Sequence, residues 1–240
     1  MNKNHDTLMI HSVSSNLGNN AAKFCHNSLQ GHHHSLFGIQ YYADRGKLRW
    51  SMGVGCLADP NSPAMRYGSG ATLKRPILGC GVLEGQESFL VISDMHIPYH
   101  HKDSFKFLQA VYEFYSCRTV LNVGDLVDHH AGSYHESEPD AMNPEEEYAA
   151  SQEYLRELEE MFPVMHISNG NHCNIPKRKL KTLGLPPSMV SDYNRLYGLS
   201  GGWNWCDEYW FDSKGATPTL VPMELNSKGR WNGKICGVKV

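Results

Sequence analysis

Phe89-Leu90-Val91-Ile92-Ser93-Asp94-Met95-His96, Thr119-Val120-Leu121-Asn122-Val123-Gly124-Asp125-Leu126-Val127-Asp128 and Pro163-Val164-Met165-His166-Ile167-Ser168-Asn169-Gly170-Asn171-His172 are built alike: an apolar run of strand length, then a short polar loop. Amphipathic segments separate them, which predicts a β-loop-α-β-loop-α-β-loop unit between Ser88 and Cys173. In open α/β sheets the loops beyond the carboxyl ends of parallel strands converge on one crevice. Aspartate, histidine and asparagine delivered there together are metal-ligand chemistry.

Outward from this unit the pattern stays mixed α/β. The first helix is expected over about Ser104 to Ser116, with Phe105, Leu108, Val111, Tyr112 and Tyr115 on one face and Asp103 as N-cap. Asn143-Pro144-Glu145 opens the second, with Leu155, Leu158 and Met161 inward. The polar run His129 to Met142 between them is long enough for a lid or rim. Towards the N-terminus, Thr7-Leu8-Met9-Ile10 reads as a strand ending on His11, and Asn19 or Asn20 as the cap of a helix reaching about Asn27. A hairpin is expected around Asp44-Arg45-Gly46, a long loop from Gly53 to Gly70, and strands at Pro76 to Leu83 and Thr219 to Met223.

Length and composition bound the function. With 240 residues the chain makes one medium domain or at most two small ones. A net charge of −3 does not favour a protein that wraps long duplex nucleic acid. The seven cysteines include no CxxC pair, which fits reduced thiols better than a disulfide framework or a zinc ribbon. The segment Met1 to Asp6 has no apolar core of a signal peptide, and no run approaches the roughly 18 apolar residues of a membrane span. A soluble, cytoplasmic protein without a membrane partner is the expectation.

Side chains at i and i+2 of an extended segment point the same way, so Asp94 and His96 are placed to grip one ion with Met95 turned into the core. The same argument applies to His32 and His34, with His33 facing away. Asp125 follows a glycine at a strand end, Asn171 offers a neutral carbonyl oxygen, and His11 ends its own strand. His129 and His130 read as cleft lining or as solvated loop residues, and His100, His101 and His135 as weaker candidates still. Lys177-Arg178-Lys179 reads as a solvated basic turn rather than a phosphate clamp.

The set D-x-H, GD-x-x-D, GNH, a strand-end His and GH-x-H resembles the calcineurin-like metallophosphoesterase superfamily, and the surrounding text is similar in particular to bacteriophage and bacterial phosphoesterases. The resemblance implies a four-layer α/β/β/α sandwich and a two-metal centre, with Mn, Fe, Zn or Ni as candidate ions and Mn favoured. Asp94, His96, Asp125 and His34 would hold the first ion. Asp125 would bridge to a second, held by Asn171, His11 and His32. His172 would donate a proton to the leaving group, oriented by Asp128. Two divalent ions less the charges of Asp94, Asp125 and a bridging hydroxide leave a small positive charge, suited to a phosphate ester. The implied reaction is phosphomonoester or phosphodiester hydrolysis. The alternatives are a nucleic-acid-processing phosphodiesterase and a metal-binding module of weakened activity.

Two features depart from the family pattern. Cys173 follows GNH where an acid is usual, and His11 and Gly31 to His34 precede Asp94 instead of following GNH. Gly81 to Gly85 and Gly215 to Val221 look like two strands of one hairpin with a block from about Gln86 to Lys214 set between them. One domain over 1–240 is expected, in which 1–85 corresponds to the family's C-terminal half, 86–214 to its N-terminal half and 215–240 to a closing strand and tail. The strand at Val82 should then pair with the one at Leu220.

Overall fold

The computed structural model describes residues 5–12, 14–44, 46–66, 75–134, 140–190 and 192–240. His135, Arg45 at the expected hairpin turn, and the end of the expected loop to Gly70 lie outside these residues. The chain begins with β1 (Thr7–Ile10), α1 (Leu17–Phe24) and β2 (Asn27–Gln30), then the hairpin β3 (Phe37–Asp44) and β4 (Lys47–Val54). After the one-turn α2 (Pro63–Arg66) come β5 (Gly79–Glu84), β6 (Ser88–Ile92), α3 (Ser104–Phe114), β7 (Cys117–Asn122), α4 (Pro144–Met161) and β8 (Met165–Ser168). Next are α5 (Ile175–Thr182), α6 (Tyr193–Tyr197), β9 (Trp203–Cys206), β10 (Glu208–Phe211) and β11 (Thr217–Pro222). The small hairpin of β12 (Lys234–Ile235) and β13 (Val238–Lys239) follows.

Two large sheets carry the fold, ordered β10-β1-β2-β4-β3 and β11-β5-β6-β7-β8-β9. In the second, β6, β7, β8 and β9 run parallel, so the loops after Ile92, Asn122 and Ser168 leave from the same end. At its other edge β5 pairs antiparallel with β11, Val82 opposite Thr219 and Gly81 opposite Leu220, across the intervening block as expected. Asp207 alone separates β9 from β10, so the chain steps there from one sheet to the other.

Alternation along the strands makes the layers. Phe89, Val91, Leu121 and Val123 face Met9, Leu29, Trp50, Met52 and Val54 of the first sheet in one shared apolar cluster. Leu90, Ile92 and Val120, one residue out of phase, pack beneath Phe105, Leu108 and Val111 of α3 and Leu155 and Leu158 of α4. Strands buried on both faces are why these segments read as continuous apolar runs. On the far side α1 lies over β2, β3 and β4. The contact there is mixed: Leu17 is buried, and Asn20 donates to Gln30 of β2. The result is helix, sheet, sheet, helix.

Three local expectations need correction. The cap of α1 is Asn16, which accepts from Asn19 N at 3.1 Å, and the helix stops at Cys25, whose φ of 52° is left-handed. Asn20 lies inside the helix because Leu17 is a buried anchor and brings the start forward. Asp103 precedes α3 but makes no side-chain cap bond, because its carboxylate is engaged by Arg230 Nε at 2.7 Å and Trp231 N at 3.0 Å. The expected loop from Gly53 is shorter, since β4 runs on to Val54 and α2 takes Pro63–Arg66, and within it Cys56, Leu57 and Ala58 are buried. Asn143, in contrast, caps α4 as read, accepting from Glu145 N and Glu146 N, with Glu146 returning a bond to Asn143 N.

Candidate metal centre

The three loops turn sharply where their strands end. Asp94, His96 and Asp125 have φ of 49°, 52° and 45°, and His32 has 67°. Left-handed backbone costs on the order of 1–3 kcal/mol per residue and survives only where surroundings over-determine it. Here they do. Asp94 N donates to Gly124 O and His96 N to Asp125 O, each at 3.0 Å, lacing the first loop to the second. Leu57 N and Ala58 N both donate to Asp94 O at 3.1 Å, so the buried loop after β4 clamps this turn from the other side. Extended i, i+2 geometry is therefore not what places Asp94 with His96, or His32 with His34. Met95 does enter the core, but His33 does not turn away: its ring meets that of His32 edge-on at 5.0 Å.

Two glycines are fixed by crowding. Gly124 takes φ of 99° with the His11 ring against it, and a Cβ on Gly170 would overlap the Asp125 carboxylate.

All nine residues singled out by spacing and resemblance lie together in three neighbouring groups, the last two sharing His96. His11, His32 and Asp125 form one: His11 Nε2 is 2.9 Å from Asp125 Oδ2. Asn171 joins it, with Oδ1 3.1 Å from His11 Nε2 and 2.9 Å from His32 Nδ1. His34, Asp94 and His96 form the second, with His34 Nε2 3.2 Å from both Asp94 Oδ1 and His96 Nε2. His96, Asp128 and His172 form the third: Asp128 Oδ1 is 2.6 Å from His96 Nδ1 and 2.7 Å from His172 Nδ1. The first two groups join the sheets, since His11 follows β1 and His32 and His34 follow β2, while their partners follow β6, β7 and β8.

Hydrogen bonding sets the ring tautomers. His11 Nδ1 donates to Val123 O at 2.7 Å, leaving Nε2 as a lone pair towards Asp125 and Asn171. His96 Nδ1 donates to Asp128, leaving Nε2 towards His34 and Asp94. A carbonyl or carboxylate that accepts the ring's other N–H is the usual second partner of a metal-ligating histidine. Asp94 Oδ1 is buried and makes no hydrogen bond among the described residues, yet two imidazole nitrogens converge on it. Nitrogen lone pairs and carboxylate oxygens facing one another repel, and a cation between them removes that repulsion. The donor set fits divalent metal ions.

With protein groups alone, protons play the cation's part. Burial lowers the pKa of His11, but the charge and hydrogen bond of Asp125 with the charge of Asp94 overcome it and raise it to about 9. Burial likewise opposes His96, and Asp128 carries it up to about 10. Burial and the neighbouring His11 hold His32 below its ordinary value. Burial works against the charged forms of Asp94 and Asp125, but the imidazoles around them keep both carboxyls below the usual range.

Several supporting contacts escaped the sequence reading. Asp125 Oδ1 accepts from His172 N at 2.8 Å, which ties the second loop to the third. Lys177-Arg178-Lys179 lies within α5 and not in a turn, and Arg178 Nη2 donates to Asn171 O at 3.0 Å, which holds a site loop. His129 is not solvated: Nδ1 donates to His172 O at 3.1 Å, and Nε2 accepts from Tyr197 Oη at 2.5 Å. His130 is buried, and its backbone N–H, with that of Ala131, donates to the Glu147 carboxylate at 2.6 and 2.9 Å. His100 stacks on Phe105 at 4.7 Å, and His101 Nε2 meets Gly229 O at 3.2 Å; neither belongs to the three groups. Cys173 is in the core beneath the site, its thiol pushed up to about 11 by burial. Only long-range contacts distinguish these residues, and no spacing rule reports those.

Among the described residues no helix is long and apolar enough to cross a membrane. The family model for calcineurin-like phosphoesterases matches residues 88–231. No curated protein and no solved structure matches the chain.

Proposed function

The chain belongs to the calcineurin-like phosphoesterase family, whose chemistry is metal-dependent hydrolysis of phosphoesters, and on that premise we propose that it is a dinuclear hydrolase of phosphate esters. Asp94, His96, His34 and Asp125 would hold one ion, and Asp125, Asn171, His11 and His32 the other. Bound there, two divalent ions supply Lewis acidity, a water of lowered pKa and a seat for the anionic phosphoryl group. The observation that carries the reading is the double use of Asp128 Oδ1, within 2.7 Å of Nδ1 on both His96 and His172. One carboxylate thereby orients a metal ligand and the neighbouring acid together. His172 keeps Nε2 for the proton that the departing alkoxide requires. Arg178 and Asp125 steady the loop that carries it, through Asn171 O and His172 N.

The ligands run along this chain in a rearranged order. His11, His32 and His34 precede residue 88, where the family match begins, and meet the matched segment only in space. The pairing of β5 with β11 across residues 86–214 supports a block transposed into a hairpin.

The test is a metal-content measurement on the Mn²⁺-loaded chain, followed by hydrolysis of p-nitrophenyl phosphate and its bis ester. The expected result is two ions per chain and turnover of at least one ester. Asp125→Asn should lose activity by more than about a hundredfold and retain less metal, since one carboxylate serves both ions. Two ions and undiminished turnover in that variant would falsify the assigned site. Preference for the bis ester marks a diesterase, and preference for the mono ester a phosphatase.

A further inference from the structure

We propose that His129 is a positioning residue for the acid of this reaction, holding His172 by its peptide while the adjacent Asp128 holds it by its ring; this rests on the hydrolase reading above. His172 Nδ1 donates to Asp128 Oδ1 at 2.7 Å and to the Asp128 carbonyl oxygen at 2.9 Å. His129, the next residue, donates from Nδ1 to His172 O at 3.1 Å. Consecutive side chains of an extended segment point to opposite sides, so two neighbours do not reach one residue that way. Here the backbone of His129 is left-handed, with φ of 56° and ψ of 39°, and both contacts form. Such strain persists only where the surroundings over-determine it.

The restraints on His129 come from two helices. Its Nε2 accepts from Tyr197 Oη at 2.5 Å. Tyr197 is buried at the end of α6, and the residue before it, Leu196, accepts through its carbonyl from Tyr148 Oη of α4. On the chain side, Glu147 of α4 accepts from the backbone N–H groups of His130 and Ala131. A ring that donates from Nδ1 and accepts at Nε2 must be neutral, and burial meets that requirement by lowering His129 to about 4. Burial also keeps the Tyr197 hydroxyl protonated, as a donor must be. The His172 peptide is held from its other side as well, where its N–H donates to Asp125 Oδ1 at 2.8 Å and Ile175 N donates to its oxygen at 2.9 Å. A proton donor has to lie within hydrogen-bond reach of the leaving oxygen. A misplacement of about 1 Å can cost on the order of a hundredfold in rate. His129 acts on that distance through His172, without touching the substrate.

The experiment compares phenyl and p-nitrophenyl esters on the Mn²⁺-loaded full chain and on His129→Ala. Phenolate needs a proton from an acid as it departs, and p-nitrophenolate needs it far less. The ratio of kcat on the phenyl ester to kcat on the p-nitrophenyl ester should fall about tenfold in the variant, a part of the roughly 10²–10⁴ that a placed acid contributes. His129→Asn should recover most of that loss, because asparagine tolerates left-handed backbone and its amide N–H can replace the Nδ1 donor. A second readout needs no turnover. In the metal-free chain the amide hydrogen of His172 should exchange about tenfold faster in His129→Ala, measured against the amide of Leu121 in β7 as reference. Should His129→Ala fail to fold, Tyr197→Phe keeps the packed ring, removes only the hydroxyl and takes the same two measurements. An unchanged ester ratio in a folded, metal-loaded variant overturns the positioning role and leaves the hydrolase reading intact, as does His172 exchange unchanged relative to Leu121. Absence of turnover on both esters by the wild-type chain overturns the hydrolase reading and the acid's role with it, and amide exchange then decides alone whether His129 holds this loop.

Discussion

One buried carboxylate oxygen shared by two imidazoles is a constraint on protons as much as on position. Asp128 receives the Nδ1–H of His96 and of His172, and the charged His96 holds its carboxyl well below the usual range against the effect of burial. Glu147, from the adjoining helix, is shifted the other way. Burial, with Asp128 close by, raises it from 4.5 to about 7, although it accepts two backbone N–H bonds. Its folded pKa lies above its unfolded one, so its contribution to stability is complete below about pH 4.5 and is lost as pH rises through about 7. Glu147→Gln does not titrate. Relative to wild type, the variant should therefore gain stability between pH 4.5 and 7, by on the order of 3 kcal/mol. Urea midpoints of both proteins across that range measure it, and a difference that stays constant with pH would show an ordinary carboxyl. Taking the difference between the two proteins cancels titration of the metal centre.

Elements with local signals were legible in the sequence. The three strand-and-loop units, the hairpin of β3 and β4, and the capping box of α4 follow from periodicity and cap chemistry. Replacing the α4 cap, Asn143→Ala, should cost about 1 kcal/mol and lower the urea midpoint without changing the slope. A loss under about 0.3 kcal/mol would mean that tertiary contacts alone hold this start. What escaped reading depends on contacts far along the chain. Asp103 looked like a cap but is taken by Arg230, 127 residues away. Leu57 and Ala58, in a stretch rich in Gly, Pro and Ser, hold the Asp94 turn through backbone N–H groups that carry no residue signature. Alternation selected Asp94 and His96, yet the backbone there is left-handed, because the interlocked loops outweigh local preference.

At the scale of the molecule, the ligand groups bridge two sheets that otherwise meet through the apolar layer of Met9, Leu29, Met52, Val91 and Leu121. Ions bound there would favour the folded arrangement, since the unfolded chain does not bring these groups together. Free metal at a hundred times its dissociation constant should add about 2.7 kcal/mol per site. Chelation should lower the thermal midpoint accordingly, and readdition of Mn²⁺ should restore it; identical midpoints with and without chelator would show that the fold takes up no metal. The step at Asp207, one residue between β9 and β10, further couples the sheets covalently.

The ligand order also has a consequence in time. His11 and Asn171 lie 160 residues apart, and at a synthesis rate of about 5–20 residues per second the interval between them is on the order of ten seconds. During that interval the histidines after β1 and β2 have left the ribosome, while β10, the antiparallel neighbour of β1, has not been made. The nascent first sheet therefore passes its early life with an open edge and three imidazoles awaiting their carboxylate partners. Completion of the candidate metal site belongs to the last part of translation, after the amide of Asn171 has emerged.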